Sequence, residues 1–166
     1  KVPESAFDSV DLVFHLAGYT HDINNNSNRD AIYQELNVNA TVDLMKAAVK
    51  QKVSKFIFVS SVKAGGITNH SANMNEDNQL APSDIYGKTK REAEVLILKM
   101  GKEYGIEVSI VRPALVYGVD MKGNLAFMFN GVKNGWFPPL PETHNMRSMI
   151  SVIDLVKAII LVSKNK

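Results

Sequence analysis

The sequence predicts an α/β fold in which short buried strands form a parallel sheet and helices connect them. Apolar, β-rich runs of strand length alternate along the chain with segments whose apolar residues recur at helical spacing. Such strand–helix–strand alternation implies right-handed crossovers, which place the strands side by side in parallel. The 166 residues have the size of one domain, and we expect a single domain over 1–166.

Three apolar runs are expected to form the sheet. They are V-D-L-V-F-H-L at Val10–Leu16, K-F-I-F-V-S at Lys55–Ser60 and I-E-V-S-I-V at Ile106–Val111. Their lack of polar alternation is typical of strands that are buried on both faces. His15, in the first run, is expected to be a satisfied core histidine and not a ligand.

The ends of these runs indicate a binding site. The runs end at Ala17-Gly18, at Ser60-Ser61 and at Arg112-Pro113, where proline cannot continue a central ladder. Glycine after a strand lets another molecule approach the backbone, and paired serines can donate hydrogen bonds. Ligands of open parallel sheets bind outside the carboxyl ends of the strands, so the three ends are expected to converge on one site.

Helical periodicity fills most of the remaining chain. Helices are expected at Arg29–Lys50, Ser83–Met100, Gly123–Gly135 and Ser151–Ser163, with a short strand at Arg147–Ile150. Ser151 and Asp154 match the capping-box pattern S-x-x-D. Asn37 and Asn39 lie inside the first helix, where asparagine is a poor helix former, so at least one is expected to tether a neighbouring strand or loop.

Two polar stretches are expected to be loops. His21–Asn28 is rich in asparagine and is typical of a surface loop. Val62–Pro82 has about twenty residues and is rich in Gly, Asn and Ser, and a loop of that length is usually functional or disordered. His70 within it is expected to be a surface histidine.

Composition and charge exclude several classes of protein. The net charge of +2 arises from 19 basic and 17 acidic residues without long runs of one sign, so neither a nucleic-acid-binding stripe nor a membrane-surface patch is expected. No apolar run reaches membrane-spanning length, and the start does not resemble a signal peptide. Cysteine is absent, which excludes disulfides and cysteine metal sites and fits a cytoplasmic location. No metal site is expected.

Tyr86 and Lys90 are expected to lie one turn apart on one face of the helix at Ser83–Met100. A fixed cation beside a phenol lowers its pKa and lets it transfer protons near neutral pH. The pattern Tyr-x-x-x-Lys alone is weak, since five tyrosines give about even odds of one chance match. A serine at a strand end, Ser61, precedes Tyr86 by 25 residues, and together the three residues make a proton-transfer constellation.

Six motifs carry a family resemblance through their order and spacing. They are V-F-H-L-A-G, N-V-N-A-T, F-I-F-V-S-S-V, Y-G-K-T-K, R-P-A-L-V-Y-G and R-S-M-I-S-V-I-D-L. The chain resembles the extended short-chain dehydrogenases/reductases, and within them the NAD-dependent nucleotide-sugar epimerase/dehydratase group, particularly the UDP-sugar 4-epimerases. The resemblance covers nearly the whole chain.

The resemblance implies a role for each matched residue. Ser61 would polarise the 4-oxygen of the sugar, Tyr86 would be the acid/base, and Lys90 would hold the nicotinamide ribose and depress the pKa of the tyrosine. Asn37 would organise this site. The residues implied to line NAD are Leu16, Ala17, Gly18, Val59, Ser60, Tyr86, Lys90 and Pro113. Asn124 and Arg147 would hold the diphosphate of a UDP-hexose, for which the arginine fork is suited.

The implied reaction is epimerisation at C4 of a UDP-sugar through a 4-keto intermediate. Two enzyme alternatives stay open: a 4,6-dehydratase, which Val62 and Lys63 after Ser61 disfavour, and an NADP-dependent 4-ketoreductase. A non-catalytic binding or regulatory module of the same fold is a further alternative. Relatives of that kind generally lose the Ser/Tyr/Lys set, which this sequence keeps.

The sequence also departs from the family. The pyrophosphate-binding fingerprint G-x-x-G-x-x-G does not occur, and the first predicted strand matches the family's fourth. The expected fold is therefore a partial Rossmann-like three-layer fold that lacks the first βαβαβ strands and the glycine-rich loop, with the start of a substrate-binding lobe at about 119–150. We expect weak or no NAD binding and no activity from this chain alone. An unpaired edge at strand 10–16 is expected to recruit a second copy and give a homo-oligomer.

Overall fold

The fold contains two parallel sheets. In this computed structural model, residues 3–20, 28–66, 75–76, 79–121, 123–138 and 147–165 are described. The first sheet consists of β1 (Leu12–His15), β2 (Lys55–Val59) and β3 (Glu107–Val111), in the order β1-β2-β3 with every pair parallel. The second consists of β4 (Leu115–Tyr117) and β5 (Met149–Ser151), also parallel. The predicted α/β class with a parallel sheet is confirmed.

Five α-helices connect or follow these strands in the described part of the chain. They are α1 (Arg29–Tyr33), α2 (Ala40–Lys50), α3 (Ile85–Tyr104), α4 (Asn124–Lys133) and α5 (Val152–Lys164). A π-helical segment, Gln34–Asn39, joins α1 to α2 without a break, so the helix predicted over Arg29–Lys50 is present with a local change of pitch.

The central strand β2 carries helices on both of its faces. Phe56 and Phe58 are fully buried in the main core cluster. Other members of that cluster, from α2 and α3, are Met45, Ala48, Ala93 and Ile97. Successive strand side chains point to opposite faces, so Lys55 and Ile57 lie on the other side, where the Lys55 ammonium donates to the carbonyl of Asn165 just after α5. These contacts give the three layers that the sequence predicts.

Strand β1 forms one edge of the first sheet. It pairs with β2 from Leu12 to His15, and within the described residues no strand pairs with its other side. It is shorter than the predicted Val10–Leu16, so Leu16 already belongs to the loop that follows. Phe14 and Leu16 are 42% and 61% exposed, which leaves apolar surface at this edge.

Strand β4 is a feature that the sequence did not predict. The chain leaves the first sheet after Val111, as Pro113 indicates, but Leu115–Tyr117 then pairs in register with Met149–Ser151. Three residues are too few to show a strand period, and the partner is distant in sequence. The strand predicted at Arg147–Ile150 is confirmed with its boundaries moved to Met149–Ser151.

Helix α3 has well-defined caps at both ends. Asp84 is the N-cap, and its Oδ1 accepts a hydrogen bond of 2.7 Å from the Gly87 amide. Gly105 adopts the left-handed conformation (φ 74°) that ends the helix. The helix therefore runs from residue 85 to 104 and not from 83 to 100 as predicted.

Parts of the predicted loops lie outside the described residues. The stretch Val62–Pro82 begins with a 3₁₀ turn, Val62–Gly65, that the sequence did not predict. Residues 67–74 and 77–78, including His70, lie outside the described residues, as do residues 21–27 of the other loop. The start of a substrate-binding lobe at about 119–150 stays a prediction, and α4 lies within it.

Among the helices that are described, none combines the length and apolar character needed to cross a bilayer. Within the same residues, no group of three or more His, Asp or Glu side chains is arranged to hold a metal ion.

Candidate active site

The carboxyl ends of β2 and β3 are joined by hydrogen bonds beyond the sheet. The Ser60 amide donates to the Val111 carbonyl over 2.7 Å, and the Val62 amide donates to the Pro113 carbonyl over 3.1 Å. Ser61, between these two bonds, is the N-cap of the 3₁₀ turn Val62–Gly65. The predicted convergence of these two strand ends is therefore confirmed.

Asn37 connects the end of β1 to helix α3. Its Oδ1 accepts from the Tyr19 amide over 2.7 Å, while its Nδ2 donates to the Tyr19 carbonyl over 3.0 Å and to Thr89 Oγ1 over 3.3 Å. The side chain is 1% exposed, so its amide group is fully used by these contacts. The predicted tether is confirmed for Asn37, whereas Asn39 is exposed and donates to Glu35 of its own helix.

The π-helical segment explains how a helical asparagine reaches the loop. Gln34–Asn39 buries Asn37 and Val38, and π-helical turns inside α-helices occur frequently at functional sites. The sequence signal was the pair of asparagines in N-V-N, which indicated a polar contact but not the change in helical pitch.

Ser61 lies close enough to Tyr86 to affect the ionisation of its phenol. Burial raises the pKa of Tyr86 and is the largest effect, a side-chain hydrogen bond with Ser61 lowers it, and the nearby Tyr33 and Asp84 raise it further. The resulting pKa of Tyr86 is above its usual value. The predicted lowering by Lys90 is therefore wrong in direction for this structure: most of the phenol is removed from water, which disfavours the phenolate.

Lys90 is directed at the end of β2. Its Nζ donates to the Val59 carbonyl over 2.9 Å and lies 3.9 Å from the centroid of the Phe58 ring. Burial lowers the pKa of Lys90 to about 8, while the carboxylate of Glu94 raises it in part. Lys90 is 2% exposed, and its ammonium is buried against the carboxyl end of β2.

His15 is a satisfied core residue, as predicted. Its Nε2 is 2.8 Å from Thr41 Oγ1, and its ring stacks on Phe58 at a centroid distance of 5.3 Å. Burial and the charge of Lys90 lower its pKa to about 4. The imidazole is therefore neutral at physiological pH and packs beneath the site.

The residues predicted to line a dinucleotide fall into two groups. Leu16, Ala17 and Gly18 are exposed after β1. A Cβ on Gly18 would lie 3.4 Å from Asn37 Oδ1 and 3.7 Å from Lys90 Nζ, so the glycine keeps the backbone close to both. These residues leave an accessible backbone beside a fixed cation, which suits a phosphate- or ribose-bearing cofactor.

Ser60 and its neighbours form the second group. Ser60 is 4% exposed, and among the described residues its Oγ has no hydrogen-bond partner. A buried hydroxyl without a partner is unusual and fits a group that completes its bonding with a ligand. Val59 and Pro113 are half-buried on either side of it. The donor set therefore fits NAD.

The predicted substrate anchors are Arg147 and Asn124. Arg147 is exposed and precedes β5, and within the described residues no hydrogen bond or ion pair joins it to Ser61 or Tyr86. The side chain of Asn124, at the start of α4, lies outside what the structure describes. The roles of both residues stay predictions.

An apolar cavity of about 1010 Å³ lies between β4, α4 and β5. Its lining includes Tyr117, Met121, Phe129, Val132 and Met149. Met149 is two residues from Arg147, so the cavity lies beside one predicted diphosphate anchor and not at the Ser61–Tyr86 pair.

Two ion pairs near the site were missed by the sequence analysis. Arg112 makes a two-pronged contact with Glu94, which is 1% exposed, with Nε donating over 2.9 Å and the second nitrogen bonding the other oxygen. Lys63 pairs with Asp84 at 2.6 Å. Glu94 follows Lys90 by four residues on the same helix face, which was a usable signal, whereas nothing in the sequence links Lys63 to Asp84.

The structure thus combines a parallel α/β sheet with Ser61 at the carboxyl end of β2 and with Tyr86 and Lys90 on α3. The chain belongs to the NAD dependent epimerase/dehydratase family, whose model matches residues 4–166.

Similar proteins of known kind agree with that assignment. A UDP-glucose 4-epimerase of Vibrio cholerae is 36% identical over 154 residues, which cover 90% of this chain and 46% of the relative. An N-acetyl-α-D-glucosaminyl-diphospho-ditrans,octacis-undecaprenol 4-epimerase of Escherichia coli O157:H7 is 29% identical and covers 97% and 47%. The chain thus spans about half the length of the curated relatives it matches.

The solved structures show the same fold. A UDP-glucuronic acid 4-epimerase from Bacillus cereus, in complex with UDP-glucuronic acid and NAD, superposes with a TM-score of 0.83 at 24% identity. The match covers 98% of this chain and 52% of that structure. The predicted Rossmann-like three-layer fold is confirmed.

Proposed function

We propose that the chain carries the proton-transfer site of an NAD-dependent enzyme that epimerises a UDP-sugar at C4 through a 4-keto intermediate. The observation that carries this proposal is the placement of Ser61 at the carboxyl end of β2 close to Tyr86 of α3, where the serine lowers the pKa of the phenol. The Vibrio cholerae relative, a UDP-glucose 4-epimerase, supports the choice of reaction.

Tyr86 is the acid/base of the proposed reaction. As the phenolate, Tyr86 accepts the proton of the 4-hydroxyl when the sugar is oxidised, and as the phenol it returns that proton when the ketone is reduced. Ser61 has a single O–H, which it donates to the 4-oxygen when the sugar is bound, so that this oxygen lies beside Tyr86. Because burial raises the pKa of Tyr86, cations near the phenol are needed for this transfer at neutral pH.

Gly18, Ser60 and Lys90 are the residues that would hold NAD. The Ser60 hydroxyl has bonding capacity left, Gly18 exposes its backbone, and Lys90 supplies three donors of which one is used by Val59. When bound, NAD supplies the reversible oxidation at C4 of the sugar. Asn37 keeps the β1 loop and α3 at a fixed separation, which sets the width of this pocket.

Arg147 and Asn124 are proposed to hold the diphosphate of the nucleotide sugar. An exposed guanidinium at the entry to β5 is accessible to such an anion and can bind two of its oxygens at once. The apolar cavity lined by Met149 would then adjoin the bound diphosphate.

The acidic residue nearest to Tyr86 disfavours the dehydratase alternative. Asp84 accepts from the Gly87 amide and from Lys63, and these bonds hold its pKa below the usual value. Such a carboxylate is ionised at neutral pH, and its oxygens are already bonded to the Gly87 amide and to Lys63. It is therefore a poor general acid for the elimination of water. The reductase alternative stays open, because coenzyme preference is not determined by the residues described.

The proposal is tested by product analysis in the protein that carries this chain. With NAD present, UDP-glucose, UDP-galactose and their N-acetyl forms are incubated separately and the nucleotide sugars are separated by chromatography. We expect one pair to interconvert to the same equilibrium ratio from either side. Accumulation of a 4-keto-6-deoxy sugar would identify a dehydratase, and NADPH-dependent loss of a 4-keto sugar would identify a reductase.

A further inference from the structure

The turn after β2 and the first turn of α3 are joined by an ion pair. Lys63 lies in the 3₁₀ turn Val62–Gly65 and Asp84 is the N-cap of α3. The Lys63 Nζ and the Asp84 Oδ2 are 2.6 Å apart, and both side chains are a little under half exposed. The pair therefore bridges the segment that carries Ser61 and the helix that carries Tyr86.

Close backbone packing accompanies this pair. The other oxygen of Asp84 accepts from the Gly87 amide, so the same carboxylate fixes the helix start. A Cβ on Gly87 would lie 2.6 Å from the Lys63 carbonyl oxygen, which is closer than any real side chain allows. The two segments are thus pressed together at the point where Lys63 and Asp84 pair.

Lys63 also contacts both members of the proton-transfer pair. Its amide donates to Ser61 Oγ over 3.3 Å, and its Nζ lies 5.8 Å from the centroid of the Tyr86 ring. One residue therefore touches the serine through its backbone and the tyrosine through its side chain.

We propose that the Lys63–Asp84 ion pair is a positioning device that holds Ser61 Oγ against the phenol of Tyr86. The inference deepens the proposed function, on which its catalytic meaning rests, and it assigns no contact with substrate to either residue. Breaking the pair frees the turn from α3 and loosens the Ser61–Tyr86 hydrogen bond.

The electrostatic surroundings of Tyr86 give this role a measurable signature. Ser61 lowers the pKa of Tyr86, whereas Asp84 and Tyr33 raise it. The positive charges of Lys63 and Arg29 both oppose the negative charge of Asp84. Lys90 lies one turn further along α3 than Tyr86. Loss of the Ser61 bond and loss of the Lys63 charge both move the titration of Tyr86 to higher pH.

The test is a double-mutant cycle read by ultraviolet titration of Tyr86. Each protein is compared with its own Y86F counterpart, so that the difference spectrum reports Tyr86 among the five tyrosines. In the wild-type background we expect S61A to raise the midpoint of Tyr86 by roughly half to one pH unit. In the K63M background, and in the D84N background, S61A is expected to have a clearly smaller effect.

The D84N variant keeps the side-chain oxygen that caps α3, so it breaks the pair without removing the cap. K46M is the matched control, because Lys46 forms an exposed ion pair with Asp43 on α2 at 3.1 Å. S61A should have its full effect in the K46M background. K63R should behave as the wild type, since arginine keeps the charge.

An equal effect of S61A in the wild-type, K63M and D84N backgrounds would overturn the proposal. A reduced effect in the K46M background as well would also overturn it, because the cause would then be general. The titration needs neither NAD nor substrate. The positioning role can therefore fail while epimerisation is observed, and it can hold while epimerisation is not.

Discussion

Lys90 and His15 both contact the Phe58 ring, and burial moves both towards their neutral forms. The pKa of Lys90 falls to about 8 and that of His15 to about 4. At pH 7 the lysine is still charged while the histidine is neutral. Of these two residues, Lys90 is the one that carries a positive charge at pH 7.

The buried histidine makes stability depend on pH. An unfolded histidine gains a proton below about 6.5, whereas folded His15 gains one only near pH 4. The unfolded state therefore binds more protons in this window, and stability is lost as pH falls through it, by up to about 3 kcal/mol. We expect urea unfolding at pH 7, 6 and 5 to show this loss in the wild type and a weaker dependence in H15Q. The same slope in both proteins would contradict the assignment.

Gly87 is expected to be required for the contact between α3 and the turn after β2. Alanine normally stabilises a helix relative to glycine by about 1 kcal/mol, but here the added Cβ meets the Lys63 carbonyl at 2.6 Å. We expect G87A to lower the free energy of unfolding by about 1–3 kcal/mol. K88A, at the exposed neighbouring position, is the control and should stay within about 0.5 kcal/mol of the wild type. A stabilised G87A would show that the segments are free to separate.

Helix α5 begins with the capping box that the sequence predicts, formed by Ser151 and Asp154. Ser151 Oγ accepts from the Asp154 amide over 3.1 Å and donates to the Asp154 carboxylate over 2.7 Å. S151A should destabilise the chain by about 1 kcal/mol in thermal or urea unfolding. S163A, near the other end of the same helix, removes an exposed bond to Ile160 and serves as the control. Equal small effects of both substitutions would deny the cap a special role.

The exposed edge of β1 predicts self-association. Phe14 and Leu16 present apolar surface beside a strand edge that no other described strand pairs with, and such edges recruit other chains. We expect sedimentation or light scattering to show concentration-dependent association of this chain, reduced in F14K. A monodisperse monomer at high concentration would argue against association through this edge.

The sequence predicted elements best where periodicity and motif agreed. Strands β1, β2 and β3 were predicted because apolar runs such as Phe56–Phe58 stand between polar turns. The burial of His15 was predicted because it lies within one of these apolar runs. Strand β4 was missed because three residues carry no period. Helix α3 was underestimated at its C-terminus, since its end is set by the left-handed Gly105 and not by the apolar pattern.

The tether at Asn37 was predicted from the sequence, whereas the electrostatics of Tyr86 were not. Asn37 holds the loop after β1 through its hydrogen bonds to Tyr19, and the roles of Ser61, Tyr86 and Lys90 stay predictions. The direction of the Tyr86 pKa was wrong, because burial is a property of the packed fold that spacing along a helix does not reveal. The Lys63–Asp84 ion pair was missed because 21 residues separate its two members in the sequence.

At the scale of the whole molecule, cofactor affinity is the expected weakness. The sequence contains no G-x-x-G-x-x-G, the element that cradles a pyrophosphate in this family. We expect calorimetric titration of this chain with NAD to show weak or no binding, and micromolar affinity would contradict that expectation.

We propose that Tyr86 transfers the proton at C4 of a UDP-sugar. The most direct measurement compares the rate of UDP-glucose and UDP-galactose interconversion, with the N-acetyl sugars in parallel, for wild type, Y86F and Y104F in the protein that carries this chain. Tyr104 is a matched control, as an exposed tyrosine of the same helix. Y86F should lower kcat at least about 100-fold while Y104F leaves it unchanged. Equal rates in wild type and Y86F would contradict the account.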